Sequence, residues 1–212
     1  ILQNSELNER VEWMKQILGM LSTSGLILIV DPAEQGVCNQ LQETSAYLST
    51  NERDVFIHSP YLNGSPCPFF SNKTNYYSHE VRKISSSSRI EKINNPLRLE
   101  THEVKFGLTM LSKYPVQSFS KNSNFCRLVS PVRKKKGTLS FIGIAADGYE
   151  YMYELQRRSL NQDETKNLSK LERGDIIKIE NGEKGKDPKR IRIPKFNDIS
   201  CLFAPRWENG KV

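Results

Sequence analysis

The stretch "SPYLNGSPCPFFSNKTNYYSH", Ser59 to His79, has the Pro-Cys-Pro turn and aromatic-then-His ending of a metal-binding loop, yet holds one cysteine. A soft metal or cluster needs several thiolates. The four cysteines, Cys38, Cys67, Cys126 and Cys201, contain no CxxC pair, so neither a zinc finger nor a disulfide framework is predicted. The chain has neither a GxSxG elbow nor an HExxH pair, and "GIAADG" lacks the spacing of a dinucleotide cradle. Three scattered histidines, His58, His79 and His102, suggest no general base. Asp31 closes an apolar run, where it either faces a ligand at a sheet edge or caps the next helix.

Binding chemistry is better represented. Arg133, Lys134, Lys135 and Lys136 are adjacent cations leading into an apolar alternation, and "KGKDPKRIRIPK" adds Lys184, Lys186, Lys189, Arg190, Arg192 and Lys195. Adjacent cations repel one another unless counter-charge is supplied, and nucleic-acid phosphate is a common supplier. The net charge of +7 is uneven: residues 121–212 carry 20 Lys and Arg against 12 Asp and Glu, residues 1–120 carry 11 against 12. That asymmetry favours a polyanionic partner, nucleic acid before membrane. Tyr149, Tyr151 and Tyr153 alternate between the basic stretches, as sheet packing requires.

The elements that must position these groups follow from periodicity. Leu7, Val11, Met14, Leu18 and Leu21 predict an amphipathic helix, and "LILIVD" a strand buried on both faces of a parallel sheet. "GVCNQLQETSAYL" and "DVFIHSP" repeat the helix-strand order, which predicts an α/β class with a doubly wound sheet. Residues 60–95 read as a long polar loop. "HEVKFGLTML" reads as a strand, and "TLSFIGIAADGYEYMYEL" as a hairpin turning at Asp147-Gly148. A short helix over "DETKNLSKLERG" and strands over "DIIKI" and "KRIRIP" complete a mixed, basic appendage. The division is 1–120, a sheet domain, and 121–212, a β-rich appendage and tail. No apolar run approaches the roughly 18 residues of a membrane span.

In order and spacing, "SGLILIVDPAEQG", "SPYLNGSPCP" with "YYSH", and "CRLVSPVRKKKGTLSFIGIAADG" resemble the mitochondrial small-subunit methyltransferase-like proteins, over roughly Trp13 to Ile179. The resemblance implies the C-terminal half of a Rossmann-like methyltransferase sheet, with residues beyond Ile179 a lineage-specific tail. It implies a component or assembly factor of the mitochondrial ribosomal small subunit, located in the matrix, with small-subunit rRNA and ribosomal proteins as partners. On this reading binding is the work of the chain. The two basic clusters are the principal RNA contacts, with Arg127, Arg82 and Lys83 as lesser ones.

The family's S-adenosylmethionine motif would lie upstream, so an rRNA methyltransferase is the alternative function. The family also binds an iron–sulfur cluster through four cysteines. Cys67 and Cys126 match two of them, while Tyr61 and Ser78 stand at the others. A zinc site combining Cys67 and Cys126 with His58 and His79 is chemically permitted, which makes a metal-stapled interaction module a second alternative. No cofactor is expected to be held by this chain.

Overall fold

A computed structural model describes residues 5–71, 77–83, 87–97, 103–115 and 119–204. They form a mixed α/β protein built on two sheets. The first helix, α1 (Leu7–Met20), buries Arg10, Val11, Met14 and Leu18, the spacing of one helical face. Strand β1 (Leu26–Pro32), helix α2 (Gln35–Asn51) and strand β2 (Phe56–Ser59) follow. Helix α3 (Pro68–Ser71), strand β3 (Glu80–Lys83), helix α4 (Ser88–Leu97) and strand β4 (Glu103–Ser112) complete the first unit.

β4 is the hub of the first sheet, pairing antiparallel with β1 along one side and with β2 and β3 along the other. Because β1 and β2 both oppose β4, they run parallel to each other, with α2 as their crossover. α1 and α2 cover one face only, around Met14, Leu18, Leu48, Ile57 and Leu111. This corrects the expectation that "LILIVD" is buried on both faces of a parallel sheet. β1 is an edge strand in an antiparallel pair, and Leu26, Leu28 and Val30 are 45%, 57% and 54% exposed on its uncovered face. An apolar run does not reveal whether a second layer of helices covers it.

The 60–95 region is also more structured than its polar composition predicts, since it carries α3, β3 and α4. Of the residues singled out in it, Tyr76 and the serines at 85 and 86 lie outside the described set, as does His102 further on.

The second sheet begins with β5 (Phe125–Leu128) and β6 (Arg133–Lys135), which lie one after the other along the same side of β7 (Thr138–Ala145). β7 turns into β8 (Glu150–Gln156) through Gly148 at φ 87°, the left-handed conformation that the Asp147-Gly148 signal requires. Helix α5 (Gln162–Leu168) is closed at its start by a reciprocal pair: Asn161 Oδ1 accepts from Glu164 N, and Glu164 accepts from Asn161 N. Strands β9 (Ile176–Ile179), β10 (Glu183–Lys184), β11 (Arg190–Arg192) and β12 (Ile199–Phe203) extend the sheet to the order β10-β11-β8-β7-β5-β9-β12.

Leu128, Leu139, Phe141, Leu155, Leu168 and Ile177 are its core, each at most 1% exposed. Burying each contributes about 1.5–3 kcal/mol. The residues after Ile179 are integral to it: β11 pairs parallel with β8, β12 pairs with β9, and Ile193 is 1% exposed.

Candidate nucleic-acid interface

Strand register brings the two basic clusters together. Arg133 stands opposite Ser140, Ser140 opposite Glu154, and Glu154 opposite Arg192, so one row crosses four strands. Residues paired in a row share a face, and so do residues two apart along a strand. Arg133, Lys135, Arg190 and Arg192 therefore lie on one face, opposite the core face of Leu139 and Leu155. All four are exposed. Three strand spacings, roughly 14 Å, separate β6 from β11.

The two flanks differ in their pairing. Arg190 contacts Glu154 at 3.2 Å and Asp187 at 3.3 Å. Arg133 through Lys136 have no ion pair among the described residues. Lys186, Lys189 and Lys195 are exposed beyond β10 and β11, and Lys184 sits 5.7 Å over the Tyr151 ring. Tyr151 donates to Asp147 Oδ2 at 2.8 Å, Tyr153 is buried beside Phe141, and Tyr149 is exposed.

The lesser candidates have another role. Arg127 is buried and donates to Glu80 Oε1 at 2.7 Å, and Arg82 meets Glu80 Oε2 at 2.8 Å. Lys83 pairs with Glu172. These ties join β3 of the first sheet to β5 and the α5–β9 turn of the second, with Arg173 donating to the His79 carbonyl at 2.7 Å. Gly174, at φ 92°, lies so close to Arg82 that an added Cβ would stand 2.7 Å from Nη2. Glu80 and Arg173 are functional candidates that the sequence reading passed over. The "LERGD" turn, with its glycine beside a lone arginine, was the available signal.

Tyr61 donates to Ser78 Oγ at 2.7 Å and stands 3.1 Å from Cys67 Sγ, so the phenol bridges two of the positions where the family has cysteines. Burial, with Cys67 nearby, holds the Tyr61 hydroxyl well above its usual range, which keeps it a donor. Cys67 packs with Tyr61, Ile144, Phe69 and Val129. Cys126 belongs instead to the core of the second sheet, beside Tyr153 and Gly143, where burial pushes its thiol up to about 12.

Cys67 and Cys126, the two positions that match the ligand set implied by the resemblance, therefore lie in different clusters, and along β5 and its extension Val129 packs against the loop. One thiol with a phenol, a hydroxyl and a valine does not fit an iron–sulfur cluster or zinc. His58 is bonded to Ser112 at 2.5 Å, and His79 lines a cavity with Tyr61 and Ser78 whose lining includes neither Cys67 nor Cys126. Among the described residues no group of three His, Cys, Asp or Glu could hold a metal. Asp31 does not cap α2, whose N-cap is Glu34; it borders a void of about 10 Å³.

No protein-family model matches this sequence, and no curated protein does either.

Proposed function

We propose that the chain is an RNA-binding component or assembly factor of the mitochondrial ribosomal small subunit, with a methyltransferase-like first unit and a phosphate-contacting second one. What carries the RNA part is the register: two basic segments more than fifty residues apart meet on one exposed sheet face, and the segment from Arg133 to Lys136 lacks acidic partners among the described residues. Unpaired cations held on a rigid strand suit a ligand that supplies regularly spaced negative charge. The motif resemblance supports the ribosomal part, and the α2 crossover between parallel strands is compatible with a Rossmann-like ancestry.

The test is RNA binding as a function of salt, using a small-subunit rRNA fragment. Replacing Arg133, Lys134, Lys135 and Lys136 together by Ala is expected to lower the steepness of log affinity against log salt by up to about 3 to 3.6, since each of four phosphate contacts contributes roughly 0.7–0.9. An unchanged slope and an unchanged association with the small subunit would exclude this face.

A further inference from the structure

Between the two sheets lies a cavity of about 130 Å³. Arg127, Arg133 and Arg173 enter it from β5, β6 and the turn before β9, and His79 and the aromatic rings of Tyr61 and Tyr77 wall it. Two carboxylates, Glu80 and Glu150, share the lining. Glu80 is already committed, because Arg127 takes one oxygen and Arg82 the other. Three guanidiniums and two carboxylates line the cavity, a surplus of one positive charge, and Arg82 adds a further cation behind Glu80.

Arg173 is the decisive residue. It is partly buried, its hydrogen bond among the described residues is to the neutral carbonyl of His79, and it pairs with no carboxylate there. Burial lowers the affinity of Arg173 for its proton, the charge of Glu80 opposes this and that of Arg127 adds to it, while burial together with Arg173 lowers the affinity of His79. Glu80 is shared with Arg127 and Arg82, so a partly buried Arg173 leaves positive charge for a ligand to balance.

We propose that this cavity is a phosphate site. Three guanidiniums converge from three elements, which suits a tetrahedral group offering oxygens in several directions better than a planar carboxylate. The loop that resembles a cluster loop thus forms one wall of an anion pocket, with Tyr61 and Ser78 presenting hydroxyls where the family has thiols. The proposal does not depend on the sheet face binding RNA.

Inorganic phosphate is the probe, titrated into the full chain at fixed ionic strength against chloride and followed by phosphorus line broadening and heat. Saturable binding is expected, weakened about tenfold or more by Arg173→Met and partly restored by Arg173→Lys. Arg133→Gln, on an exposed strand, is a second variant whose folding does not rest on the inter-sheet ties, and it too is expected to weaken binding.

A 5′-mononucleotide and a short RNA identify the source of the phosphate. If Arg173→Met or excess phosphate also weakens RNA binding, the group belongs to an RNA strand. If RNA binding is indifferent while phosphate still binds, the natural ligand is a free phosphate or a mononucleotide. Absence of saturable phosphate binding, or wild-type binding by both Arg173→Met and Arg133→Gln, overturns the proposal.

Discussion

At the residue scale, Glu80 does more than any other single side chain to join the two sheets. It is 3% exposed, accepts a hydrogen bond from Arg127 and is ion-paired with Arg82, so removing its charge strands both. Glu80→Gln keeps the shape and is expected to cost about 3 kcal/mol in urea unfolding, because breaking a buried pair leaves an uncompensated charge. The cysteines set an alkaline limit. Burial raises the Cys38 thiol from 9.0 to about 11 and the Cys126 thiol from 9.0 to about 12, so the folded state prefers the protonated thiols and the unfolded chain ionises first. Their contribution is complete below pH 9 and is lost as pH rises toward about 12. Cys126→Ala is expected to flatten this part of the stability profile, leaving the slope due to Cys38 and to Tyr151, whose hydroxyl burial and Asp147 push up to about 12. A profile identical to wild type would show that Cys126 is not what titrates there.

At the element scale, the strand that misled is β1. Its uncovered apolar face and free edge make it the natural site of self-association. Leu28→Lys is expected to change unfolding free energy by no more than about 0.5 kcal/mol while reducing aggregation on concentration, followed by light scattering. A large loss of stability would mean that this face is covered. Helices and strands with clear periods were legible: Val11, Met14 and Leu18 fix the α1 face, and Asp147-Gly148 fixes the β7–β8 turn. Pairing was less legible, because period gives a strand its faces but not its neighbours. Nothing in "RKKKG" and "KRIRIP" states that they meet across Ser140 and Glu154; only the hairpin register and the parallel docking of β11 do so. β3 and α4 are weakly legible because β3 is short and mostly charged and α4 carries Ile90, Ile93 and Leu97 among serine and asparagine, and β3 is held through Glu80 rather than through apolar burial.

At the scale of the whole molecule, two larger apolar cores are joined by a small apolar cluster, Tyr61, Cys67 and Phe69 against Ile144 and Val129, and by polar ties: Glu80 with its arginines, Lys83 with Glu172, Arg173 with the His79 carbonyl, and Phe119 N–H donating to the Leu62 carbonyl. The first 120 residues do not contain the larger core; the second sheet does, and it is no appendage. Its order also places the last strands at opposite ends, β10 and β11 beyond β8, and β12 beyond β9. A chain ending at Ile179 is expected to lose stability well beyond an ordinary surface change, since Ile193 leaves the core, and to bind RNA with a shallower salt dependence, since Arg190 and Arg192 leave the face. Wild-type behaviour in both measurements would make the segment dispensable. Synthesis runs from the first residue to the last, so while the chain is being made β8 waits with one side bare until Arg190–Arg192 emerge to dock alongside it. The cationic face shared by β6 and β11 is thus completed only after every strand from β5 to β11 has been made, so its charge is assembled by the folding of the second sheet and not by any one segment.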